Sequence, residues 1–197
     1  ELRPPAAVGA GPLLVVSVGG GVNGLRLIET ATAAFSELRR QSRWARCHMV
    51  VFGGALMGDQ ELQAIAAACR QHGAQFLAYS REFPAWLQAA DLSISRGGYN
   101  SRVAVLAAGV PGLVFPGTDV SDQAFRTRRL ADLGVITTSP EAGLTAGRLA
   151  ALIGDALERP PPVHDLDLGG AGRTVQLLTG LVQERPVAVD AAAMAYQ

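Results

Sequence analysis

The sequence predicts an α/β fold: one doubly wound, six-stranded parallel sheet with helices on both faces. Three observations predict it. Short apolar runs without polar alternation recur along the chain, as strands buried on both faces do. Segments with apolar residues at helical spacing lie between them. The connections are short and rich in glycine, which suits strictly alternating strands and helices in a parallel sheet.

The elements follow in order. After a Pro-rich lead, "LLVVSV" (13–18) is the first strand and "GGGVNG" (19–24) its turn. The helix "LRLIETATAAFSELRR" places Leu27, Ala31, Ala34, Phe35 and Leu38 on one face. "HMVVFG" (48–53) is a strand, and "GDQELQAIAAACRQHG" (58–73) a helix with Asp59 near its start and Gly73 as its C-cap. "AQFLAY" (74–79) is a strand, "EFPAWLQAA" (82–90) a short helix and "DLSIS" (91–95) a strand. "YNSRVAVLAAG" (99–109) is a helix, "GLVFP" (112–116) a strand, "SDQAFRTRRLADLG" (121–134) a helix and "VITT" (135–138) the last strand. Helices over 145–158 and about 170–184 close the chain, separated by "RPPPVHDLDLGG".

With 197 residues, 49% of them apolar and 17% charged, the chain can bury a sizeable core and is not a disordered protein. Seventeen basic residues balance seventeen acidic ones, so nothing in the charge favours nucleic acid as a partner. Cys47 and Cys69 lack metal-ligand spacing and are expected to be reduced, packed thiols in a cytoplasmic protein. No apolar run approaches the roughly 20 residues that cross a bilayer.

In doubly wound sheets, ligands sit beyond the carboxyl ends of the strands. The glycines gather there. Gly19, Gly20 and Gly21 follow the first strand, Gly53 and Gly54 the second, and Gly97 and Gly98 the fourth, with Asn23, Arg96, Asn100, Ser101, Asp122 and Gln123 at the same edge. "GGGVNG" fits G-x-G-x-x-G between a strand and a helix, a dinucleotide-binding context. That fingerprint also wants a carboxylate at the tip of the second strand, where "VVFGGALMG" has none. A tight turn without a ligand is the alternative. In "SRGGYNS", bare backbone N–H groups at a helix start suit a phosphate, with Ser101 and Asn100 as added donors; simple helix capping by either residue competes. Arg96 is either a phosphate ligand or a surface charge. Asp122 and Gln123 open a helix where they either receive sugar hydroxyls or cap it. His48, His72 and His164 are scattered and read as structural, and Asp165 and Asp167 as solvated or capping.

The order of these motifs carries a resemblance. A Gly-rich loop after the first strand, "WLQAADLSISRGGYNS", "LAAGVPGLVFP" and "DQAFRTRRLADLGV" together resemble the carboxyl-terminal domain of GT-B glycosyltransferases. The group they resemble is the MurG-like one of glycosyltransferase family 28, in an uncharacterised bacterial branch, over about residues 13–158. The resemblance implies a Rossmann-like half of a GT-B fold that holds a nucleoside-diphosphate sugar, a UDP-sugar foremost. Gly19–Gly21 with Asn23, and Arg96–Ser101 including Gly97, Gly98 and Tyr99, would face the diphosphate. Tyr79, Ser80 and Phe83 would meet the base, and Asp122 and Gln123 the donor sugar. The chemistry implied is an inverting displacement at the anomeric carbon, with neither cofactor nor metal. Ala104 stands where the family's ribose-gripping glutamate is expected, and Arg126 near the place of an asparagine.

The resemblance further implies that an amino-terminal acceptor half with the general base is missing, either from this chain or supplied by a partner subunit. Residues 1–12 would then be a linker, 13–184 the donor-binding domain, and 185–197 a tail that packs on the missing half or frays. The fragment alone is expected to be inactive, and the whole protein cytoplasmic or peripheral at the inner membrane face. Two other classes remain open: an NAD(P)-binding oxidoreductase module built on "GGGVNG", and a degenerate, non-catalytic half that binds nucleotide or a partner.

Overall fold

The computed structural model describes residues 11–20, 24–117 and 121–184. The elements run β1 (Leu13–Ser17), α1 (Leu25–Leu38), a 3-10 turn at Ser42–Trp44, β2 (His48–Phe52), α2 (Asp59–His72), β3 (Gln75–Leu77), α3 (Phe83–Gln88), β4 (Leu92–Ser95), α4 (Tyr99–Ala108), β5 (Gly112–Val114), α5 (Ser121–Asp132), β6 (Thr137–Thr138), α6 (Ala146–Leu157) and α7 (Gly170–Glu184). All six strands pair parallel in the order β3-β2-β1-β4-β5-β6. The expected α/β sheet is therefore the one observed. Expected strand ends over-reached at the two edges, where 74–79 shrinks to Gln75–Leu77 and 135–138 to Thr137–Thr138. An edge strand has one hydrogen-bonding neighbour, so its pairing stops sooner.

Side-chain alternation splits the core in two. Leu14 and Val16 of β1, Val51 of β2 and Ile94 of β4 pack with Leu27, Ile28 and Phe35 of α1 and Leu149 and Ile153 of α6. Leu13 and Val15, with Val50 and Phe52, face the other way, onto Trp86 and Leu87 of α3 and Val105 of α4. Burial on both faces explains why β1 reads as an unbroken apolar run. Gly24 lets α1 lie close against β1, because a Cβ there would come within 2.6 Å of Val18.

The chain divides into two compact units at His164/Asp165. Three consecutive prolines, Pro160–Pro162, precede that boundary and remove backbone donors from the segment. His164 closes the first unit, its Nε2 3.1 Å from the Leu106 carbonyl of α4, which is a structural role. In the second unit Asp167 accepts the Gly169 N–H at 2.7 Å, a turn before α7. Most of the expected linker 1–12 and all of the tail 185–197 lie outside the described residues.

Candidate functional site

The chain runs outward from β1 through β2 to β3, then returns to place β4 on the other side of β1. Ser17 of β1 and Ser95 of β4 are register partners, so the turns that follow them emerge side by side. That is the crossover point at which doubly wound sheets bind ligands.

A cleft of about 440 Å³ opens there. Gly19 and Gly20 line it together with Gly98, Tyr99, Asn100 and Ser101. Gly19 adopts φ +65, open to glycine at little cost, and a Cβ on it would lie 3.5 Å from the Ser101 hydroxyl. The same hydroxyl would lie 3.9 Å from a Cβ on Gly98. Both glycine corners thus converge on one side-chain oxygen. Beyond Gly20, the Leu56 N–H donates to the Gly20 carbonyl at 2.9 Å, tying the loop after β2 to the loop after β1.

Helix α4 follows Gly98 as its N-cap, with no side-chain cap and no acidic residue in its first turn. Asn100 and Ser101 lie within that first turn of the helix. Its leading N–H groups stay available, and the positive end of the helix favours an anion.

Tyr79, Ser80 and Phe83 line the same cleft. Phe83 stands edge-on to Phe52 at 5.0 Å, and Phe52 edge-on to Trp86 at 5.9 Å, giving a rigid aromatic floor. The Ser80 hydroxyl accepts the Glu82 N–H at 3.1 Å, which commits it to the entry of α3. Tyr79 is 69% exposed at the rim. Ala104 also lines the cleft.

The other expected site residues stand apart. Arg96 does not line the cleft; its guanidinium pairs with Glu141 at 3.6 Å and packs so closely over Gly117 that a Cβ there would collide with it. Gly97 is buried beneath the turn at φ +72, where a Cβ would sit 2.5 Å from Val114 Cγ1. It shapes the corner without lining the cleft. Asp122 is ion-paired with Arg126 at 2.9 Å, one turn along α5, and neither Asp122 nor Gln123 lines the cleft. Gly21 and Asn23 lie outside the described residues.

Gly53, expected at this edge, also lines the cleft, whereas sequence reasoning missed Ser17, Phe52 and Ala55. Their signal was register: Ser17 and Phe52 are paired residues at neighbouring strand ends. It also missed Arg102, which is 4% exposed although charged. The spacing from Arg102 to the buried Val105 and Leu106 puts all three on one helix face. Burial pushes both thiols up, Cys47 and Cys69 each to about 11, and Asp91 adds to the shift at Cys47.

Residues 15–162 match the glycosyltransferase family 28 C-terminal domain. The chain belongs to that family. Two relatives bear the name UDP-N-acetylglucosamine–N-acetylmuramyl-(pentapeptide) pyrophosphoryl-undecaprenol N-acetylglucosamine transferase. The one from Methylorubrum populi is 27% identical over 180 residues, covering 89% of this chain and 47% of the relative. The one from Chromobacterium violaceum is 29% identical over 184 residues, covering 89% and 50%. Among solved structures, Acinetobacter baumannii MurG superposes with a TM-score of 0.63 at 21% identity, over 92% of this chain and 55% of that one. This family 28 chain thus spans about half the length of the curated relatives it matches. The six-stranded parallel sheet with its flanking helices is the fold of a GT-B glycosyltransferase half. Among the described residues no helix is long and apolar enough to cross a membrane.

Proposed function

We propose that this chain is the donor-binding half of a glycosyltransferase that moves a hexosyl or N-acetylhexosaminyl group from a nucleoside-diphosphate sugar. One observation carries the reading: two glycine corners and an uncapped helix start meet around the Ser101 hydroxyl over a single cleft. A diphosphate is the ligand such a pair of corners suits, because its two anionic groups can each meet backbone N–H donors. The base would rest on the Phe83–Phe52 floor beside Tyr79, and the donor sugar would extend toward Asp122 and Gln123. Names borne by the relatives make UDP-N-acetylglucosamine the first donor to test.

Displacement at the anomeric carbon leaves charge on the departing diphosphate, and preorganised N–H groups stabilise that charge without reorganising. The acceptor and the general base would come from the half that this chain does not span. Alone it would bind donor and transfer nothing, and the whole protein would work in the cytoplasm, at the inner membrane face if peripheral.

Calorimetric titration with UDP, UDP-GlcNAc, GDP, dTDP and NADH tests the reading. Saturable binding of UDP and UDP-GlcNAc is expected. Tight NADH binding with silence from every nucleoside diphosphate would replace it with the oxidoreductase alternative.

A further inference from the structure

Arg102 is a buried cation that the proposed donor site does not yet use. Taking a guanidinium out of water is costly, and an apolar side chain of similar volume fills such a space at less cost. What Arg102 does with its charge is specific. Its own N–H closes the first turn of α4 on the Gly98 carbonyl at 3.0 Å. Its Nη1 donates to the Gln123 carbonyl at 3.0 Å and to the Thr127 hydroxyl at 3.1 Å, both on α5. One residue therefore ties the glycine turn of α4 to the opening turns of α5.

Helix α5 needs such an anchor. From Asp122 to Arg129 only Thr127 is buried, and Phe125 is 68% exposed. A helix without an apolar stripe gains little from the sheet below it, so its placement rests on a few polar contacts. Thr127 also abuts the corner itself, since a Cβ on Gly97 would lie 3.2 Å from its hydroxyl and 3.9 Å from Arg102 Cδ. Burial lowers the Arg102 pKa from its usual value, and the charge of Asp122 opposes part of that shift.

We propose that Arg102 is a positioning residue that holds the Asp122–Gln123 turn in register with the diphosphate turn, so that sugar recognition depends on it more than nucleotide recognition does. The inference rests on the donor-binding reading above. Arg102→Met removes both the clamp and the positive charge. Loss of charge weakens UDP and UDP-GlcNAc alike, whereas loss of the clamp weakens only the sugar-bearing ligand, so the ratio of the two affinities isolates positioning.

The experiment measures both dissociation constants for the 197-residue chain and its variants, with thermal melting alongside. The wild-type chain is expected to bind UDP-GlcNAc more tightly than UDP. Arg102→Met is expected to cut that preference by about tenfold, the size of one charge-assisted hydrogen bond. Arg102→Lys should recover part of it. Thr127→Val, which keeps the buried shape and removes one acceptor, should lower the preference in the same direction and by less; it also serves if the Met variant does not fold. A merely structural role would lower the melting temperature and leave the ratio unchanged, and that result overturns the inference while the donor site stands. If the wild-type chain binds neither ligand, both fall together.

Discussion

Gly97 and Gly98 are neighbours in sequence, yet a side chain added at each should have opposite consequences. Gly97 sits at φ +72, and its added Cβ would meet Val114 Cγ1 at 2.5 Å on a fully buried strand. Holding an L residue in the left-handed region costs about 1–2 kcal/mol, and overpacking a tight core a further 1–3 kcal/mol or so. Gly97→Ala should therefore lose about 3 kcal/mol, which lowers Tm by about 6–12 °C in a domain of this size.

Gly98 is different. Its φ of −56 and ψ of 153 suit any residue, and its added Cβ meets nothing closer than the Ser101 hydroxyl at 3.9 Å. Gly98→Val should change stability by about 0.5 kcal/mol or less, while its two methyl groups occupy the approach to the first N–H groups of α4. Melting curves paired with UDP titration check both variants. The expected pattern is a stable Gly98→Val chain with at least about a tenfold loss of UDP affinity, near 1.4 kcal/mol, and an unstable Gly97→Ala chain. A Gly98→Val chain that keeps wild-type affinity would refute the argument that the ligand sits on this turn.

Ala104 lines the cleft and, in the proposed donor site, stands where a carboxylate would meet ribose hydroxyls; none of the described lining residues is charged. The wild-type chain should accordingly bind UDP and 2′-deoxy-UDP within about threefold, whereas Ala104→Glu should favour UDP by about tenfold, one charge-assisted hydrogen bond; equal affinities in that variant would count against the placement of the sugar ring. Cys47 and Cys69 are raised from 9.0 to about 11 in the folded protein. A raised folded pKa means the native state holds its proton longer, so the associated stability is complete below pH 9 and lost as pH climbs through 11. Each thiol contributes on the order of 2 kcal/mol. All seventeen basic residues are arginines, so no lysine titrates in that window. Urea melts at pH 8 and pH 10.5 should show the loss, and the Cys47→Ala/Cys69→Ala chain should show a smaller one; an equal loss in both would remove the thiols as its cause.

Much of the architecture was legible because local signals agreed. The unbroken run Leu13–Val18 announced a strand buried on both faces, and Gly73 announced a helix end, which the structure shows as a left-handed C-cap at φ 72. Glycines after β1 and β4 pointed to the sheet edge that carries the cleft, because direction along a parallel strand is a property of chain order alone. What chain order could not say was which strands are neighbours. β1 and β4 lie far apart in sequence, and only their pairing brings Gly19 and Gly98 against the same hydroxyl.

Arg96 and Arg102 mark the same limit from the other side. Both are arginines near a glycine turn, and nothing local separates them. The sheet and its helices turned Arg96 toward Glu141 and buried Arg102 between α4 and α5. The sequence by itself determined the class of fold, the alternation of its elements and the sheet edge at which the glycine turns gather, since these follow from periodicity and backbone chemistry within short windows. Only the tertiary structure decided which residues share the cleft and which charges are already committed, because those depend on distances between segments that no local pattern encodes.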